Sequence, residues 1–205
     1  MAGSVEFPQS RADVQARVDA FEPVAVPSSA HAAAVALTVV ESGGALGIWL
    51  TQRALTLRTH PGQFALPGGR VDEGEDAPGA ARRELGEEIG VELPASAVLG
   101  RLDDYVTRSG FVMSPVVLWG ADSEHVVTPS PAEVAEVFFI SFAELDVEPQ
   151  FENIPQSDKP VIMLPWRDGY LHAPTAAVMY QFREVVLRGR DTRVAGLEQP
   201  VFAWR

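Results

Sequence analysis

Apolar residues recur at helical spacing in three parts of the chain. Val14, Val18 and Phe21 follow Ser10, a suitable cap, and predict a helix over residues 10–21. Ala81, Leu85 and Ile89 form a stripe at 100° per residue in a helix predicted over about residues 77–89. Its ends are marked by Asp76 as N-cap, Pro78 in the first turn and Gly90 as the stop. Val178, Phe182 and Val185 lie on one side of a last helix, residues 174–187. Elsewhere short apolar runs bounded by turn residues predict strands. Residues 32–41 and 46–53 flank Ser42-Gly43-Gly44 as a hairpin, and a short extended piece lies within 63–70. Further strands are expected at 98–107, 111–119 and 134–140, a helical turn at 141–145, and a second hairpin at 161–165 and 170–172 around Arg167-Asp168-Gly169. Strands flanking isolated helices predict an α/β (α+β) sandwich with a mixed sheet between helices. Residues 22–30 hold two prolines and two serines, so residues 1–30 are expected to be an N-terminal helix and linker and residues 31–205 the main domain.

Composition narrows the function classes. The chain has 205 residues, 46% of them apolar and 21% charged, ordinary globular values. A net charge of −12 argues against nucleic acid or an anionic membrane surface as the main partner. With no cysteine there are no disulfides, thiol nucleophiles or cysteine-based zinc sites. The first ten residues lack a basic flank and an apolar core, and the apolar run at 32–40 is far short of the ~20 residues that span a bilayer. The expectation is a soluble cytoplasmic protein, with a homodimer left open.

The candidate chemistry sits between Gly69 and Val91. Glu84, Glu87 and Glu88 are related by i, i+3 and i, i+4, so a helix crowds them together beside its apolar stripe rather than opposite it. Like charges so placed weaken a helix by ~0.2–0.5 kcal/mol per pair, which a divalent cation would offset. Arg83 can hold Glu87 from one turn away. Gly86, inside the helix, costs ~1 kcal/mol against alanine, and close packing against a neighbour would explain it. Carboxylates without histidine or cysteine suit Mg²⁺ or Mn²⁺ bridging to substrate phosphates. Upstream, residues 50–70 contain Arg53, Arg58, His60 and Arg70 and no acidic residue. A basic island beside a carboxylate cluster points to a phosphate anhydride bridged by metal. A solvated acidic face is the bland alternative.

Gly69, Glu75, Arg83, Glu84, Leu85, Glu87, Glu88, Gly90 and Val91 match the Nudix box, G-x5-E-x7-R-E-U-x-E-E-x-G-U with U aliphatic, at every fixed position. The chain therefore resembles the Nudix hydrolase family. Leu50-Thr51-Gln52-Arg53-Ala54, Arg58, Gly62 and Pro67-Gly68-Gly69 further resemble the signature of the coenzyme A pyrophosphatase subgroup, with Leu66 where that signature has phenylalanine. Residues 107–117 and 131–146 also resemble the subgroup.

The resemblance implies the Nudix α/β/α sandwich, Mg²⁺ or Mn²⁺ as cofactor, and water attack on a diphosphate in a small-molecule nucleotide. Glu84 and Glu88 would be the principal metal ligands, with Glu87 and the Gly69 carbonyl completing the set. Glu75 and Arg83 would organise the loop and helix. Glu133 would be the general base, with Glu136 as alternative. Arg53, Arg58, His60, Gly68 and Arg70 would bind substrate. Coenzyme A or its thioesters is the leading substrate. ADP-ribose, a dinucleotide or a nucleoside triphosphate is the alternative, and a non-catalytic nucleotide-binding module is a third reading.

Overall fold

The computed structural model describes residues 6–27 and 31–204. The end of the expected linker, residues 28–30, lies outside the described residues. Helix α1, Arg11–Asp19, begins at Ser10, whose side chain accepts from the Asp13 amide. Strands β1, Ala32–Ser42, and β2, Ala45–Arg53, form the predicted hairpin. Gly43 and Gly44 supply its two positive-φ turn positions, at 60° and 80°.

The hairpin stays closed only near its turn. The outer edge of β1 pairs in parallel with β7, Val112–Trp119, and the outer edge of β2 pairs with β8, Val134–Ser141. The inner edges diverge beyond Val39 and Ile48, and the chain from Phe64 to Arg70 fills the split. There β3, Phe64–Ala65, pairs with β2, and β4, Gly68–Arg70, pairs with β1. The glycines thus sit at the centre of a mixed sheet, not in a surface loop.

Side chains of β1 alternate between two cores. Val35, Leu37 and Val39 face a layer containing α1 and α4, Thr175–Phe182, whereas Ala34, Ala36 and Val40 face α2, Ala77–Ile89. This accounts for the continuous apolar run, because a strand covered on both faces has no polar side. Alanines on the α2 face admit a close helix, and Ala80, Ala81, Leu85 and Ile89 are fully buried there.

Several boundaries differ from expectation. The strand predicted at 98–107 is two, β5, Val98–Arg101, and β6, Tyr105–Val106, both on β7. Pro115 of β7 has no N–H to continue the ladder, and Asp103 and Asp104 turn their carboxylates to the Val24 and Val26 amides at 2.7 and 2.8 Å. The turn at α3, Phe142–Leu145, carries a capping box of Ser141 and Glu144. A second sheet holds β9, Gln150–Glu152, beside the predicted hairpin of β10, Val161–Trp166, and β11, Gly169–His172. β9 is wholly exposed and left no alternation to find. The last helix ends as a π-helical stretch, Arg183–Leu187, around the buried Arg183, which pairs with Asp146, Glu148 and Glu184. No helix among the described residues is long and apolar enough to cross a membrane.

Candidate active site

Helix α2 enters from an Asp76 cap, its side chain accepting from the Gly79 amide at 2.8 Å, and stops at Gly90 in the left-handed region at φ 74°. Its Ala81–Leu85–Ile89 stripe fixes its rotation against the sheet, and that rotation carries Glu88 into the interior at 5% exposure. Glu88 accepts from the Gly68 amide at 3.3 Å. Burial pushes its carboxyl up to about 8, the Glu84 charge adds to the rise, and the Gly68 amide and Arg53 oppose it. Burial likewise raises Glu84, against the pull of Arg83. Two largely buried carboxylates that repel each other suit a cation between them.

Gly69 shows how tightly the two segments meet. A Cβ there would lie 2.3 Å from Glu84 Oε1, and one on Gly68 would lie 2.3 Å from the Ala34 carbonyl oxygen. Only glycine lets this backbone approach both the carboxylate and β1.

Arg83 organises the rest. Its guanidinium donates to Glu75 at 3.2 and 3.1 Å, to Glu84 at 2.8 Å, to Glu87 at 3.0 Å and to the Arg70 carbonyl at 2.9 Å. Glu75 in turn accepts from the Asp72 amide, and the Arg83 bonds hold its carboxyl below the ordinary range. One arginine thus ties the loop after β4 to the helix. It also draws Glu87 outward, and among the described residues no three acidic or histidine side chains converge as a metal cluster. Glu84 and Glu88, with the Gly69 backbone packed against Glu84, are the candidate groups for a hard divalent ion.

Glu133 stands at the rim, its carbonyl accepting from the Ala54 amide at 2.8 Å, and its charge raises both Glu84 and Glu88. Glu136 lies opposite Gln52 on β8, exposed, and is not among the charges acting most strongly on either carboxylate. Nothing in the structure explains Gly86: the nearest atom to a Cβ there is 3.8 Å away, so the expected close packing is absent.

On the other face of the sheet a cavity of about 670 Å³ opens against the same two glycines. Arg53, His60, Gly68, Gly69 and Arg70 line it, while Arg58 stays exposed on the loop outside the lining. Arg53 Nε is buried without a hydrogen-bond partner among the described residues, a donor waiting for an acceptor. Leu66 is core at 4% exposure and reaches the lining. Much of the wall was not anticipated: Phe64 and Phe111, then Tyr170 and His172, then Gln199 and Phe202. These residues carry no common spacing, so no sequence signal joins them.

The NUDIX domain family model matches residues 30–164. The chain belongs to the Nudix family. It is 36% identical over 118 residues to Nudix hydrolase 3 of Caenorhabditis elegans, covering 56% of this chain and 49% of that protein. It is 39% identical over 105 residues to the uncharacterized Nudix hydrolase NudL of Cronobacter sakazakii, covering 48% of this chain and 51% of that one. The Nudix chain therefore spans about half the length of these curated relatives. Among solved structures, the Nudix hydrolase RenU of M. smegmatis superposes with a TM-score of 0.51 at 24% identity, over 80% of this chain and 89% of RenU, a likeness of fold. Nudix enzymes use divalent metals, in keeping with the Glu84–Glu88 pair. The family match ends before β11 and the C-terminal residues that complete the cavity.

Proposed function

We propose that this Nudix chain hydrolyses the pyrophosphate bond of a nucleoside diphosphate derivative, with bound Mg²⁺ or Mn²⁺ and coenzyme A or its thioesters as preferred substrate. The observation that carries the reading is the meeting of two unlike compartments at Gly68–Gly69. A largely buried, mutually repelling carboxylate pair lies on one side, and a cavity of about 670 Å³ with an unpartnered arginine donor on the other. That volume suits a small-molecule ligand.

Glu84 and Glu88, with the Gly69 carbonyl, would hold the metal, and Glu87 is close enough in sequence to join if Arg83 releases it. The ion, when bound, neutralises charge on the phosphate oxygens and acidifies water. Arg53, Arg70 and His60 bind the remaining phosphate oxygens. Glu133 takes a proton from the attacking water, whose oxygen forms a bond to one phosphorus. The bond from that phosphorus to the bridging oxygen breaks, and the second phosphate departs as the leaving group. From coenzyme A the products are a phosphopantetheine and adenosine 3′,5′-bisphosphate.

The coenzyme A preference is supported by the pattern from Leu50 to Gly69 and by the apolar character of the lining. ADP-ribose, a dinucleotide or a nucleoside triphosphate is the second reading, favoured by the aromatic side chains Phe64, Phe111, Tyr170 and Phe202 around the cavity. The test is product chromatography after incubation with coenzyme A, ADP-ribose, NADH and a nucleoside triphosphate, each with Mg²⁺ and with Mn²⁺. Adenosine 3′,5′-bisphosphate from coenzyme A is the expected product. Brisk ADP-ribose turnover with none of coenzyme A at enzyme excess transfers the assignment to the second reading. Binding without hydrolysis of any compound would make the chain a non-catalytic module.

A further inference from the structure

The cavity wall farthest along the chain comes from a segment outside the family match, and it is built firmly. Glu198 is 4% exposed, pairs with Arg108, and accepts from Ser157 Oγ at 2.8 Å. Its amide donates to the Pro160 carbonyl at 2.8 Å, and Tyr105 Oη donates to the Leu197 carbonyl at 3.1 Å. The turn that follows, Val201–Ala203, is closed by Trp204 Nε1 donating to the Gln199 carbonyl at 2.8 Å, with the Arg108 guanidinium over the Trp204 ring.

Two side chains of this strap are left to face the cavity. Gln199 is 4% exposed, and its Oε1 accepts from the Arg108 amide at 2.6 Å. An atom that accepts from a backbone N–H is the amide oxygen, so the amide nitrogen points away from Arg108. That nitrogen makes no hydrogen bond among the described residues, although Gln199 lines the cavity. Phe202 is 61% exposed and lines the cavity, so its ring face is open to a ligand there. Its ring meets the His172 ring in a T-shaped contact, 5.1 Å between centroids, and burial lowers the His172 pKa. Tyr170, also partly exposed, lines the same cavity.

We propose that Phe202 and Gln199 form the base-recognition wall of this cavity: Phe202 takes the face of a planar nucleobase and the Gln199 amide donates to a ring nitrogen at its edge. The inference rests on the reading that the phosphates of a nucleotide lie at Arg53 and Gly68–Gly69. A flat π-face and one donor suit a purine, which offers unprotonated ring nitrogens along its edge. They give the pantetheine arm of coenzyme A no such match, which places the adenine against the strap and the diphosphate towards the glycines.

The test separates binding from turnover. Adenosine monophosphate and ribose 5-phosphate differ by the base alone, and calorimetric titration of each into the full chain measures what the base contributes. The wild type is expected to bind the nucleotide at least ~10-fold more tightly, in line with base–aromatic stacking. Phe202→Ala should erase most of that difference while leaving ribose 5-phosphate unchanged, and Phe202→Trp should restore it. Gln199→Glu keeps the acceptor for the Arg108 amide and removes the donor, so it should weaken the nucleotide alone. Equal affinity of the wild type for both compounds, or variants that bind the nucleotide as the wild type does, overturns the proposal. A base preference without hydrolysis of any diphosphate would sink the proposed activity and leave this wall standing.

Discussion

Glu88 holds the least comfortable carboxylate described here, and Glu84 shares its discomfort. Glu84→Gln and Glu88→Gln are each expected to lower kcat by roughly 100-fold or more, about 2.7 kcal/mol, with the far-ultraviolet dichroism of the wild type retained. The same pair predicts that Mg²⁺ stabilises the protein. At 100 times its dissociation constant it should add ~2.7 kcal/mol and raise Tm by several degrees, a shift that Glu88→Gln should largely abolish in a thermal scan. Gly69→Ala drives a methyl into a movable carboxylate, so its loss should appear in kcat more than in Tm. Gly68→Ala meets the Ala34 backbone instead and should cost ~1–3 kcal/mol of stability. The box residues were legible because helical spacing alone gathers them. The Arg83–Glu87 pair was legible from its i, i+4 spacing too, but the bonds of Arg83 to Glu75 and to the Arg70 carbonyl were not, since those acceptors come from the preceding loop and from β4. Arg53 and Arg58 looked alike in sequence, and only the end of β2 brings the first to the cavity.

Among the elements, those with a complete local signal were placed almost to the residue. Helix α2 runs from Ala77 to Ile89 as its cap, proline and glycine demand. Elements shaped by distant partners were misjudged, as where Pro115 and the paired aspartates break β5 from β6. The C-terminal strap belongs to this second kind, and its anchor titrates. Arg108, Ser157 and the Gln199 backbone N–H hold the Glu198 carboxyl down at about 2 against an ordinary 4.5. A folded-state value below the unfolded one means the anchor is fully stabilising above pH ~5 and is lost as pH falls towards 2. Glu198→Gln should therefore cost ~1.5–3 kcal/mol at pH 7, typical of a charge-assisted hydrogen bond, and progressively less in denaturant titrations at pH 4 and pH 3.

Across the whole molecule, the sheet separates two cores and each supports one function-bearing feature. The α2 side holds the carboxylates. The α1–α4 side holds the cavity, and Arg183, 1% exposed, locks it by pairing with Asp146 at 3.0 Å, Glu148 at 2.6 Å and Glu184 at 2.6 Å. Arg183→Ala removes the buried member of this network, leaving Asp146 and Glu148 to Arg188 and Glu184 to Arg190, and should cost ~1.5–3 kcal/mol, read as a lowered midpoint in urea. The layered architecture was legible because hydrophobic period and turn chemistry report on single elements. The cavity was not, because its lining is gathered from residues over a hundred positions apart, from Ala33 to Ala203.

The split between β1 and β2, filled by a strand of two glycines, has a consequence for how such a chain can change. The α2 carboxylates and most of the cavity lining lie on opposite sides of the sheet and meet at its two glycines, with Arg53 acting on Glu88 across them. Exchanging only the strap at residues 197–204, with α4 and its core kept, should therefore alter the guest while sparing the scissors.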